Sequence, residues 1–171
     1  MGYTTEFEGS FEFNKPVTEY LRNYINKFSS IRHMRRNVNE IKRFDSNWKD
    51  RSFCDELGVD GAYYIDEPRN WWDNPTIIDY NRPACGVPEL YCQWIIDDND
   101  KLVWDGGEKF YAYMKWLEYL IEHFFEPLGY VLNGSVEFQG EDPDDRGIIE
   151  IKNNVVNRQY YSEESNTDSV A

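Results

Sequence analysis

The stretch Trp104 to Pro127, reading WDGGEKFYAYMKWLEYLIEHFFEP, restricts the fold more than any other part of the chain. Phe110, Met114, Leu117, Ile121, Phe124 and Leu128 recur at steps of four, three, four, three and four, which puts them on one stripe of an α-helix. Lys115, Glu118, Glu122 and Glu126 take the other side. Asp105 stands where an N-cap belongs and Glu108 follows three residues later, the spacing of a capping box. Pro127 and Gly129 are stop signals. A helix with one apolar stripe must bury it against another layer, and the flanking sequence reads as strands.

Thr4 to Phe13 alternates, with Thr5, Phe7, Phe11 and Phe13 on one side, Glu6, Glu8 and Glu12 on the other, and a bulge expected at Gly9. Leu90 to Ile96 and Lys101 to Trp104 flank the polar turn Asp97 to Asp100 as a hairpin. Beyond the central helix, Tyr130 to Gly140, Gly147 to Ile151 and Val155 to Tyr161 read as strands, joined by the acidic loop Glu141 to Arg146 and a tight turn at Asn153 and Asn154. Gly61 to Asp66 reads as a further short strand. Pro16 and Thr18 open a second helix expected to run to about Arg36, buried through Val17, Leu21, Tyr24 or Ile25, Phe28 and Ile31. Its last turns would carry Arg32, His33, Arg35 and Arg36, where cations suit the helix dipole. Asn37 to Leu57 is irregular or a short surface helix, and Glu67 to Glu89 is a long loop with four prolines and several aromatic residues.

The expected architecture is therefore α+β: an antiparallel sheet with two main helices packed on one face and a long aromatic loop. With 171 residues the chain is the size of one domain, expected over 1–161 with a flexible acidic tail at 162–171. A formal charge of −14 argues against a protein that coats nucleic acid by neutralising phosphates. The charge is uneven, since Arg22 to Arg51 holds nine Lys or Arg residues while most of the acid lies beyond Phe53. Cys54, Cys85 and Cys92 match no zinc or redox spacing, no apolar run reaches transmembrane length, and the first residues lack a signal-peptide pattern. A cytoplasmic protein without metal or cofactor is the expectation, with no membrane partner and with nucleic acid not the expected partner.

The strings IIDYNRP, ELYCQWI, WDGGEKFYAYMKWLEYLIEHF, GYVLNGSVEFQGEDPDDRG and IKNNVV cover most of Ile77 to Val156. Through them the chain resembles a family of small, acidic, uncharacterised proteins of bacterial and phage genomes. The resemblance implies an intact domain in that region and brings no activity with it.

Three constellations could carry chemistry. Trp104, Gly106, Gly107 and Lys109 surround the expected start of the central helix, where unshielded amides bind phosphates and carboxylates. The aromatic loop offers Trp71, Trp72, Tyr80, Asn81 and Arg82, followed by Tyr91, Gln93 and Trp94; flat rings with forked polar groups suit a nucleobase or sugar. The structural alternative has these rings plugging a sheet edge. Glu137, Glu141, Asp142, Asp144, Asp145 and Arg146 could hold a hard cation or act as acid and base, although the spacing misses the EF-hand. His33 and His123 do not form a nucleophilic triad with a Ser or Cys, and no catalytic residue is assigned.

The leading expectation is a non-enzymatic binder of a small anionic, nucleotide-derived ligand, held by Tyr80, Asn81, Arg82, Trp94, Trp104, Gly106, Gly107 and Lys109. A phage counter-defence role that sequesters a host signal would extend it. On that expectation, substituting Arg82 or Trp94 abolishes binding without unfolding the protein. One alternative is an inhibitor or immunity-type protein whose acidic face covers a basic partner, such as a basic host protein. Another is a nucleotide- or glycoside-processing enzyme using the acidic loop. A homo-oligomer is compatible with all three.

Overall fold

The structure, a computed structural model, describes residues 2–66 and 73–162. It is an α+β protein whose main sheet is antiparallel and six-stranded. The chain divides into two compact units, one formed by Met1–Thr18 with Gln93–Ala171 and the other by Glu19–Cys92.

The first unit contains β1 (Glu6–Phe13), β4 (Trp94–Ile96), β5 (Lys101–Trp104), β6 (Leu132–Gln139), β7 (Arg146–Lys152) and β8 (Val155–Tyr160), in the spatial order β4-β5-β1-β6-β7-β8. The expected hairpin forms, with Trp94 opposite Trp104. The turn between β7 and β8 has Asn153 and Asn154 at φ 48° and 69°, values that Asn tolerates better than most residues. Alternation sends Phe7, Phe11, Leu132, Val136, Phe138, Ile149 and Ile151 to the inner face. No bulge interrupts β1 at Gly9: the pairing with β6 runs unbroken from Glu6–Gln139 to Phe13–Leu132. Gly9 and Gly134 serve instead to let the two strands approach. Both have positive φ, and a Cβ on Gly9 would stand 2.7 Å from the Ser135 carbonyl oxygen, one on Gly134 2.8 Å from that of Ser10.

Helix α3 (Tyr113–Leu120) lies on that inner face, followed by a π-helical turn at Ile121–Phe125 and a 3-10 turn at Glu126–Leu128 that ends on left-handed Gly129. Trp116, Leu117, Leu120, Ile121, Phe124 and Phe125 are buried. The helix begins at Tyr113, past Phe110 where its apolar period starts and well past the expected cap at Asp105, because Lys109 and Ala112 take left-handed φ of 57° and 56°. Asp105 caps no helix: its Oδ1 accepts the Gly107 amide at 2.7 Å in a local turn.

The second unit contains helix α1 (Glu19–Phe28), β2 (Met34–Arg36), helix α2 (Val38–Phe44) and β3 (Ile77–Pro83), with β2 and β3 paired antiparallel. Helix α1 ends at Phe28, eight residues short of expectation, and Arg35 and Arg36 lie in a strand rather than at a helix terminus. Gly61–Asp66 forms no strand, since Gly61 closes a 3-10 turn in which Asp60 has φ 56°. Part of the expected long loop is instead strand β3. Trp71 and Trp72, and the tail beyond Ser162, lie outside the described residues. Because α1 and α3 belong to different units, the expected pair of helices on one sheet face is not a feature of the main sheet. Leu21, Tyr24, Ile25, Phe28, Ile41, Phe53, Leu57 and Tyr64 are buried in the second unit. No helix among the described residues is long and apolar enough to cross a membrane.

Candidate functional site

Tyr80, Asn81 and Arg82 lie on β3 in the second unit, whereas Trp94, Trp104, Gly106, Gly107 and Lys109 belong to the first. Within each unit most of their binding groups are already committed. The Arg32 guanidinium sits 4.1 Å from the Tyr80 ring centroid, 5.5 Å from that of Tyr91, and donates to the Tyr80 carbonyl and the Asn81 side-chain oxygen. An internal cation thus occupies the stacking face expected for a base. Arg82 is 73 % exposed and pairs with Asp79 at 3.5 Å.

Trp94 is fully buried, in ring contact with Phe7, Phe11 and Phe110, and its indole N–H donates to the Tyr113 carbonyl at 3.0 Å. Trp104 donates to the Gln93 side-chain oxygen and packs on Phe7. The Gly107 amide is taken by Asp105 and the Lys109 amide donates to Thr4 Oγ1, so these amides are not the open N-terminus of a helix.

The acidic loop between β6 and β7 is tied down from the N-terminus of the chain. The Tyr3 hydroxyl donates to Asp145 Oδ2 at 2.7 Å and accepts the Asp142 amide at 3.0 Å, while the Thr4 amide donates to Glu141 Oε2. Glu137 accepts from Tyr161. No group of three or more His, Cys, Asp or Glu residues positioned to hold a metal occurs among the described residues.

The outer face of the main sheet carries a set of carboxylates that the β1 alternation already contained. Glu6, Glu8 and Glu12 on β1, Glu137 on β6 and Glu150 on β7 are all exposed and point away from the inner core. The register puts Glu8 directly opposite Glu137, and like charges in that position repel. Cations on this face are few: Lys101 pairs with Glu12 at 2.9 Å, Arg146 lies over the Tyr161 ring, and Lys152 follows Glu150 on the same face of β7. A depression of about 350 Å³ adjoins the Glu8–Glu137 pair, bordered by Glu6, Trp104, Gln139, Arg146 and Tyr161.

The second unit holds a buried polar network. Arg36, 4 % exposed, donates to Asp66 Oδ2 at 3.1 Å and Thr76 Oγ1 at 2.7 Å, and Asn74 donates to the same Asp66 oxygen at 2.9 Å. Nearby, Asp45 accepts from Arg51 and from the Tyr64 hydroxyl; burial, and then that bond, push the Tyr64 hydroxyl well above the usual phenol range, so it stays a neutral donor.

His33 is fully buried against Phe28, with ring centroids 3.9 Å apart and Nε2 2.7 Å from the Phe28 carbonyl oxygen. Burial pulls it down to about 4, with a smaller push from the Arg36 charge. It is thus a neutral core histidine. A histidine with a folded value below the unfolded one stabilises the fold above about pH 6.5, and that stability is lost as pH falls toward about 4. The loss amounts to roughly 3 kcal/mol. Denaturant titrations across this range should show the decline, and a His33→Gln variant should flatten it.

Compared with models of protein families, with curated proteins and with solved structures, the chain matches none of them.

Proposed function

We infer that this chain is a binding protein whose acidic sheet face docks on a basic surface of a protein partner, in the manner of an inhibitor or immunity-type protein. The observation that carries this reading is the segregation of charge. The unit that bears the main sheet has seven Lys or Arg against twenty Asp or Glu, a net −13, whereas the other unit has eleven against twelve, a net −1. Five exposed carboxylates on one sheet face make a negative field that accelerates encounter with a basic surface and disfavours acidic partners. The Glu8–Glu137 juxtaposition costs the free protein stability that a partner's Lys or Arg would recover on binding.

The nucleotide-ligand reading has less support. Trp94 is in a core, and the Tyr80 ring is covered by Arg32. The enzymatic reading depended on an acidic loop whose Asp145 and Glu141 carboxylates hold the N-terminal segment in place.

The test is zero-length carbodiimide cross-linking in lysate of the producing cells at low salt, which joins carboxylates directly to partner lysines. Cross-links to one partner that map to Glu6, Glu8, Glu12, Glu137 or Glu150, and that disappear at high salt, support the docking face. Cross-links confined to other carboxylates, or none at low salt, overturn it. A Glu8→Gln variant should lose the partner while gaining stability on the order of a few tenths of a kcal/mol in denaturant titration, because it removes the cross-strand repulsion. A loss of stability would contradict the role assigned to the pair.

A further inference from the structure

A second concavity, of about 300 Å³, is lined wholly by residues of the second unit and by none of the sheet-face residues. One wall is a single stripe of α1 and the turn after it, formed by Tyr20, Asn23, Tyr24, Lys27, Ser30 and Ile31 at helical spacing. The other runs from Asp50 to Ser52 and includes Ile65 and Asp66. Its size is near the lower end of ligand cavities, which run from roughly 300 to 1,000 Å³, so it suits a ligand the size of an amino acid or dipeptide.

The hydrogen-bonding state of the lining defines the ligand further. Ser30 Oγ donates to the Lys27 carbonyl at 2.7 Å, Ser52 Oγ to the Lys49 carbonyl at 2.9 Å, and Tyr24 Oη to the Tyr63 carbonyl at 2.8 Å. The protons of these hydroxyls are spent on the main chain, which leaves the two seryl oxygens as acceptors that call for donors on a ligand. Two of the four charges are compensated within the protein, Asp66 by Arg36 and Arg51 by Asp45. The other two, Lys27 and Asp50, are exposed and make no ion pair among the described residues. One uncompensated cation, one uncompensated anion, seryl acceptors and an apolar wall of Tyr20, Tyr24, Ile31 and Ile65 match a molecule with one negative group, one ammonium group and an apolar body. A phosphate ester is a poorer match, because its two charges would meet a single uncompensated lining cation, Lys27, and the uncompensated Asp50 carboxylate.

We propose that this cavity binds a small zwitterion with an aromatic or branched apolar side chain: a free amino acid or a dipeptide. Lys27 takes its carboxylate, Asp50 and the seryl oxygens take its ammonium group, and the tyrosines and isoleucines cover its side chain.

Isothermal titration of the full chain with L-phenylalanine, L-leucine and the dipeptide Leu-Phe tests this, beside phenylalaninamide, N-acetylphenylalanine and adenosine monophosphate. At least one zwitterion should bind. Removing either charge from phenylalanine should weaken binding about tenfold or more, a difference of about 1.4 kcal/mol. Lys27→Met should lower affinity for the zwitterion and for N-acetylphenylalanine while leaving phenylalaninamide unchanged, and Asp50→Asn should do the converse. Both side chains are exposed, so both variants should melt with the parent protein. The proposal is overturned if no zwitterion binds, if the two single-charge analogues bind as well as the parent compound, if adenosine monophosphate binds more tightly, or if neither variant alters the pattern. The sheet-face variant Glu8→Gln should leave every one of these titrations unchanged.

Discussion

Replacing Trp94 by alanine should cost about 3–5 kcal/mol of stability, the range for deleting a large buried aromatic side chain. The indole is fully buried on β4, meets Phe7, Phe11 and Phe110 at centroid distances of 5.3 to 5.8 Å, and donates its N–H to the Tyr113 carbonyl. Truncation would therefore open a cavity between the hairpin and α3 and leave that carbonyl without its donor. Domains have only about 5–15 kcal/mol in hand, so the loss takes a large share of the total. Chemical denaturation should show a midpoint shifted strongly down. Trp94→Phe, which keeps most of the ring contact and loses the donor, should lie between the two. If Trp94→Ala instead kept parental stability, the indole would be the exposed stacking group that the sequence alone suggests.

Arg36→Ala should be nearly as costly, about 3 kcal/mol, for an electrostatic reason. The guanidinium is 4 % exposed and holds Asp66 and Thr76, while the Asp66 side chain is 19 % exposed. Removing the cation leaves a largely shielded carboxylate whose remaining side-chain donor among the described residues is the Asn74 amide. Because Asp66 keeps some contact with water, the cost belongs at the lower end of the range for a broken buried pair. The double variant Arg36→Met with Asp66→Asn removes both charges and keeps the stem, and it should recover most of the loss. Failure to recover would mean that Arg36 acts through its stem packing rather than through Asp66. Asp66 also borders the cavity assigned to a zwitterion, so Arg36→Ala should add an uncompensated anion there and weaken binding of ligand carboxylates.

The strands of the main sheet were largely legible before any coordinates because period-two alternation is a local signal that tertiary context reinforces. Glu6, Glu8 and Glu12 against Phe7, Phe11 and Phe13 already separate a wet face from a dry one. The helix boundaries were less legible. Apolar spacing alone extends α1 to Arg36, yet the backbone turns after Phe28 and the basic residues enter a strand paired with β3. Asp105 and Glu108 have the spacing of a capping box, but Asp105 satisfies a local turn and the helix waits for Tyr113. In both places a short polar side chain or a left-handed residue offered the backbone an alternative that periodicity cannot register.

Composition and alternation by themselves determined the α+β class, the antiparallel hairpins, the acidic balance and the polar face of β1, since each depends on residues close in sequence. Only the tertiary structure decided that Trp94 is core, that Arg32 covers Tyr80, that Tyr3 ties the acidic loop, and that Glu8 faces Glu137. Those facts depend on pairs up to 142 residues apart, as for Tyr3 and Asp145. Whether an aromatic ring or a carboxylate is free for a partner depends on what the rest of the fold has already placed against it.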